Sequence, residues 1–119
     1  IVFGLTDGYG ADKVFDCSGA LPAVNQALAL TAKKGTFVQV GLFAEKFNKL
    51  DEEVIIQREI NYVGSRSQKP SSWRIALELL ADGSINADKM ITKVYSLDDW
   101  RDAFEGVMAG NEIKVLVKS

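Results

Sequence analysis

The side chains that carry most protein chemistry are scarce in this 119-residue chain, which has one cysteine, Cys17, and no histidine. Ser-His-Asp and Cys-His nucleophile systems both need an imidazole base, so neither can form. A zinc site of ordinary Cys/His composition cannot be completed, and no disulfide can close within the chain. The carboxylates fall into no recognisable acid/base pairing. What retains chemical promise is a set of apolar runs that stop at small residues, at Ser18-Gly19, Gly41 and Gly64. Ligands of an open parallel sheet lie across the carboxyl ends of its strands, where small residues let them approach the backbone.

The elements that would position those stops follow from periodicity. After the turn cluster Asp7-Gly8-Tyr9-Gly10, Lys13 to Cys17 is a short β-prone run. Pro22 suits a first helical turn, and Val24, Ala27, Leu28 and Thr31 recur at helical spacing until Lys33-Lys34-Gly35 closes the segment. Thr36 to Val40 is a second strand. Phe43 to Lys49 loses periodicity, Leu50 to Gln57 is a short helix, and Ile60 to Gly64 is a third strand by β-propensity. Strands alternating with helices predict a parallel sheet with right-handed crossovers.

Further on, Trp73, Ala76, Leu77 and Leu80 form an amphipathic helical stripe, with Ser71 or Ser72 as N-cap and Gly83 as terminator. Met90 to Tyr95 reads as a strand. Ser96-Leu97-Asp98-Asp99 resembles a capping box flanked by Tyr95 and Trp100, and Trp100, Ala103, Phe104 and Val107 supply the next stripe. Gly110-Asn111 ends it, before a last strand in which Ile113, Val115 and Val117 alternate with Lys114, Leu116 and Lys118. Trp73 and Trp100 are expected to be core anchors, because both begin apolar stripes.

Composition excludes several partners. Fourteen basic against sixteen acidic residues give a net charge of −2, with no basic block to neutralise a polynucleotide. No apolar run approaches the roughly 18 residues of a membrane span, and no charged leader precedes a hydrophobic stretch. A soluble, cytoplasmic globular protein is expected, with neither nucleic acid nor membrane as partner. Ile1-Val2-Phe3-Gly4 lacks an initiator methionine, which suggests polypeptide upstream.

Blocks of residues then meet a family. Gly10 to Gly19, Gly35 to Gly41 and Val63-Gly64-Ser65 resemble consecutive segments of the medium-chain alcohol/polyol dehydrogenases. Ala76-Leu77-Glu78-Leu79-Leu80 with Gly83, Ile91-Thr92, Ser96 to Asp99 with Ala103-Phe104-Glu105, and Ile113-Lys114-Val115 continue the match. The features look most like the zinc-dependent sorbitol and threonine dehydrogenase branch. One departure is Lys93, where polyol dehydrogenases commonly carry histidine after the Ile-Thr pair.

The resemblance implies an α/β fold, half of a Rossmann-type doubly wound parallel sheet holding family strands four to six. Residues 1–67 would be the C-terminal half of the dinucleotide-binding domain, and residues 68–119 the return segment of the catalytic domain. Cys17, Ser18, Gly19, Val40, Gly41, Leu42, Ser65, Arg66 and Ser67 would line the nicotinamide and ribose side of NAD or NADP. Lys114 would contact the pyrophosphate, where an anion favours an ammonium partner. Plainer roles compete: Cys17 as a small buried residue, Gly41 and Gly64 as strand ends or points of close packing, Arg66 as a solvated charge, Lys114 as one face of a half-exposed strand.

The resemblance also places the catalytic zinc ligands in an absent N-terminal portion, leaving this chain inactive by itself, with no metal ligand of its own and very weak affinity for NAD. Its partners would be that portion, an alcohol or polyol substrate of the parent enzyme, and a second copy paired through the Glu59 to Gly64 edge. Two alternatives are a non-catalytic oligomerisation module and a fragment of a zinc-free, quinone-type reductase.

Overall fold

Ala11–Asp16 forms the first strand, β1, after a single helical turn, α1, at Val2–Leu5. The computed structural model describes residues 1–119, which divide into two compact units, Ile1–Ser67 and Gln68–Ser119. In the first unit β1 is followed by α2 (Leu21–Leu30), β2 (Thr31–Gln39), α3 (Glu52–Gln57) and β3 (Asn61–Gly64). The strands lie in the order β1-β2-β3, and both pairs are parallel. Val14 sits opposite Phe37, and Phe37 opposite Tyr62.

Alternation along a strand sends those three residues to one face, where Phe37 packs with Val24 and Leu28 of α2 and with Ile60, bordered by Val54 and Ile55 of α3. Phe37 also stacks on Tyr62, with centroids 5.3 Å apart. Phe15 points the other way and is exposed, so this unit has a core on one side of its sheet only.

The α1 turn has no counterpart in the sequence periodicity, and the end of α2 differs from expectation. The α2 helix stops at Leu30, short of the predicted Lys33-Lys34-Gly35 close, and Thr31 belongs to β2. Pairing explains the early stop: Thr31 sits opposite Ala11, and Arg58 Nη1 donates to the carbonyls of Ala29 (2.8 Å) and Thr31 (2.6 Å), satisfying acceptors that a longer helix would use internally.

The second unit holds α4 (Pro70–Ala81), a 3₁₀ turn at Ala87–Lys89, β4 (Ile91–Ser96), α5 (Trp100–Met108) and β5 (Lys114–Lys118). Strands β4 and β5 pair in parallel, so β4, α5 and β5 make a crossover unit. The α4 helix starts at Pro70, with Lys69 at the N-cap, and neither Ser71 nor Ser72 caps it. Proline has no N–H to satisfy and a preset φ, which places it at the first helical position and leaves both serines inside the first turn. Asp99 is the N-cap of α5, one turn later than a box opening at Ser96 implies; Ser96 Oγ donates to Asp99 Oδ2 at 2.6 Å and accepts from Asp99 N at 3.3 Å.

The tryptophans overturn a further expectation. Trp73 is 60% exposed and Trp100 48%, so neither anchors a core. The stripes exist at the predicted spacing, with Leu77 and Phe104 on them, but those residues are exposed as well, and Ala103 is the one fully buried residue of this unit. Spacing predicts which residues share a helix face; whether anything covers that face is decided elsewhere.

Candidate functional site

The carboxyl ends of the three strands of the first unit are joined by polar side chains. Asp16, at the end of β1, accepts from Ser18 N (3.3 Å), Ser18 Oγ (2.6 Å) and Gly19 N (2.8 Å), the pattern of an aspartate that shapes the turn after it. From β2, Gln39 Nε2 donates to Asp16 Oδ2 at 2.6 Å and to the Gly41 carbonyl at 2.7 Å. From β3, the Tyr62 hydroxyl donates to Gln39 Oε1 at 2.9 Å. The main chain adds to this: Val40 N and Gly41 N both donate to the Asp16 carbonyl, and Ser65 N donates to the Gln39 carbonyl.

Asp16 is buried, yet no lysine or arginine lies within 4.0 Å of its carboxylate, since the ion pairs join only Lys33 and Lys34 to Glu59. Burial pushes its carboxyl up. The hydrogen bonds from Ser18, Gly19 and Gln39 outweigh that and hold it below the usual 3.8. Tyr62 moves upward from 10.0, first through burial and then through the negative charge of Asp16.

Around this network the structure gathers most of the residues singled out from the sequence. Cys17, Ser18, Val40 and Leu42 are exposed at the ends of β1 and β2, with Gly19 buried between the loops. Cys17 is a free thiol facing solvent, so the plainer reading of it as a buried apolar residue does not hold. Ser65 and Arg66 are exposed just beyond β3, and Ser67 has a φ of 62°. Lys114 opens β5 in the second unit, where its carbonyl accepts from Thr92 Oγ1 at 3.3 Å.

Of the roles open to Gly41, the structure shows close packing. A Cβ on Gly41 would overlap Gly19 N and stand 2.9 Å from Asp16 Oδ2, so Gly41 lets the two loops pack on each other. Gly64 meets nothing within 4 Å. A concavity of about 320 Å³ lies beside the loops, lined by Gly19, Leu21, Phe43 and Glu45 among others.

Sequence reasoning passed over Asp16, Gln39 and Tyr62. The available signal was a polar side chain near the end of each otherwise apolar strand, a costly place to put one without a partner.

Residues 1–82 match the family model described as zinc-binding dehydrogenase. The chain belongs to that family. Over all 119 residues it is 62% identical to a D-arabitol-phosphate dehydrogenase of Enterococcus avium, of which it covers 34%. Over 117 residues, 98% of its length, it is 49% identical to a sorbitol dehydrogenase of Halalkalibacterium halodurans, again covering 34%. The crystal structure of 2R,3R-butanediol dehydrogenase from Bacillus subtilis superposes on the whole chain with a TM-score of 0.82 at 26% identity, and the chain covers 35% of it. The chain thus spans about a third of the length of the curated relatives it matches. Its three-stranded sheet is the C-terminal part of the Rossmann-type sheet of zinc-binding dehydrogenases.

The residues present do not fit the zinc in the family's description. There is no histidine, and no group of three or more cysteine and carboxylate side chains stands close enough to hold a metal ion. What they offer is apolar surface, the exposed Val40 and Leu42, on loops held by the Asp16 and Gln39 hydrogen bonds, a lining compatible with one wall of a nucleotide. No helix is long and apolar enough to cross a membrane.

Proposed function

We propose that the chain forms the nicotinamide-facing wall of an NAD(P)-dependent polyol or polyol-phosphate dehydrogenase. The observation that carries this is the row of loops closing three neighbouring parallel strands, at Cys17 to Gly19, Val40 to Leu42 and Ser65 to Ser67. Nucleotides of open α/β sheets lie across such ends. The nicotinamide supplies hydride transfer; the residues here would hold and orient it, with the Val40 and Leu42 surface excluding water from one side. Lys114, the pyrophosphate contact that the family resemblance implies, has a charge rationale in its ammonium group. The relatives named above act on sorbitol and arabitol phosphate by their descriptions, which supports a polyol-type substrate for the whole enzyme.

In this reading residues 1–67 belong to the dinucleotide-binding domain and residues 68–119 to the catalytic domain. Zinc chemistry belongs to polypeptide outside these 119 residues. A cytoplasmic enzyme suits the free, exposed Cys17, since reducing compartments preserve thiols.

The test is titration of the 119-residue protein with NAD and NADP, followed by backbone amide NMR. Weak, millimolar binding with shifts concentrated at the three loops is expected, together with no oxidation of sorbitol. Turnover by the chain alone, or shifts that avoid the loops, would overturn the proposal.

A second reading, assembly through β3, is supported by the position of that strand at the sheet's edge with Val63 exposed. Sedimentation tests it: concentration-dependent self-association that Val63→Lys abolishes is expected, and a monomer at high concentration would count against it.

A further inference from the structure

The amide of Gln39 can be oriented in one way only. Its Oε1 accepts from the Tyr62 hydroxyl, and its Nε2 faces two acceptors, Asp16 Oδ2 and the Gly41 carbonyl. Reversing it would set an oxygen against both. Asp16 in turn receives only donors, from Ser18, Gly19 and Gln39.

We propose that Asp16, acting through Gln39, is a positioning residue that holds the loops after β1 and β2 in the arrangement a nicotinamide nucleotide would meet, an inference that rests on the cofactor-facing reading above. An aspartate that merely shapes its own turn needs only the bonds from Ser18 and Gly19. The bond from Gln39, 23 residues away, is superfluous to that turn, and the same Gln39 nitrogen holds the Gly41 carbonyl of the next loop. One carboxylate therefore ties two loops together, and Tyr62 extends the tie to β3. Hydrogen bonds to a charged acceptor are the stronger kind, and the carboxylate has no cation to divert it. The depressed Asp16 carboxyl agrees with a group held in its charged form despite burial. Preorganised backbone of this kind lowers the ordering cost of binding without any contact between Asp16 and the ligand.

The experiment measures backbone amide exchange in the 119-residue protein for the wild type, Gln39→Leu, Asp16→Ala and Val54→Ala. Val54 borders the core on α3 and its side chain takes no part in the hydrogen-bond network of Asp16, Gln39 and Tyr62, so Val54→Ala reports what lost stability alone does. In Gln39→Leu the local bonds from Ser18 and Gly19 to Asp16 survive, yet exchange at Gly19 and Gly41 is expected to rise about tenfold beyond Val54→Ala, the scale of one lost hydrogen bond to a charged group. Asp16→Ala should exceed it. Should Asp16→Ala fail to fold, Tyr62→Phe replaces it, with a smaller change of the same sign. Exchange at Gly19 and Gly41 that is equal in Gln39→Leu and Val54→Ala overturns the proposal.

NAD titration separates the two readings. A wild type whose loop amides ignore NAD refutes the cofactor reading, while exchange still judges the positioning. A wild type and Gln39→Leu that respond equally to NAD refute the positioning and leave the cofactor reading standing.

Discussion

Gly41 and Gly19 meet backbone to backbone: a Cβ on Gly41 would overlap the nitrogen of Gly19 and lie 2.7 Å from the Ser18 carbonyl carbon. The loops that close β1 and β2 therefore pack as one body, and a methyl group at this point has to push them apart. Gly41→Ala is expected to cost about 1–3 kcal/mol, the usual range for overpacking. Gly64→Ala, with nothing within 4 Å, should stay within about 0.5 kcal/mol of the wild type. Urea denaturation of the two variants checks the contrast, and equal losses would show that the loops do not touch.

Acid stability should depend on Asp16. Its folded carboxyl titrates below 3.8, so the unfolded chain takes up the proton first. The stabilisation is complete above 3.8 and is lost as pH falls through the folded value. Removing the titrating group should flatten this acid limb. Urea midpoints for the wild type and Asp16→Asn, taken from neutral pH downward, provide the check; parallel curves would mean that Asp16 contributes no such linkage.

At the alkaline end Tyr62 behaves in the opposite sense. Its folded hydroxyl titrates above 10.0, so its stabilisation is present below that value and fades as pH rises from 10.0 through the folded value. Tyrosinate absorbance should show a late-titrating component that is absent from Tyr62→Phe. Because the charge of Asp16 is the second cause of the shift, Asp16→Asn should move that component to lower pH. Tyr62→Phe should cost only about 1 kcal/mol, since the ring stack on Phe37 survives and one hydrogen bond is lost.

Apolar residues in the two units should respond differently to truncation. Leu28 is fully buried against Phe37 and Val24, and Leu28→Ala should cost about 2–5 kcal/mol. Leu77 is 63% exposed, and Leu77→Ala should change stability by no more than about 0.5 kcal/mol. Amide exchange resolved to each unit distinguishes these outcomes, and a large loss from Leu77→Ala would show that the α4 stripe is covered.

The sequence by itself determined the three parallel strands, the longer helices and the family, and left out the short turns at Val2–Leu5 and Ala87–Lys89. Alternation, helical spacing and turn residues are local, and local sterics and propensity act before any distant contact forms. Val14, Phe37 and Tyr62 were legible as strand residues, and Ser18-Gly19 and Gly41 as the stops that follow them, though the first two strands end one residue earlier than expected, at Asp16 and Gln39. Only the tertiary structure decided what Asp16, Gln39 and Tyr62 do, because their hydrogen bonds join residues 23 apart in sequence and depend on which strands lie side by side. The same reason governs the misread positions. Thr31 left its helix because Ala11 offered it a strand partner and the Arg58 side chain a hydrogen bond to its carbonyl, and Trp73 and Trp100 stand exposed because a helical stripe specifies a face and not its cover.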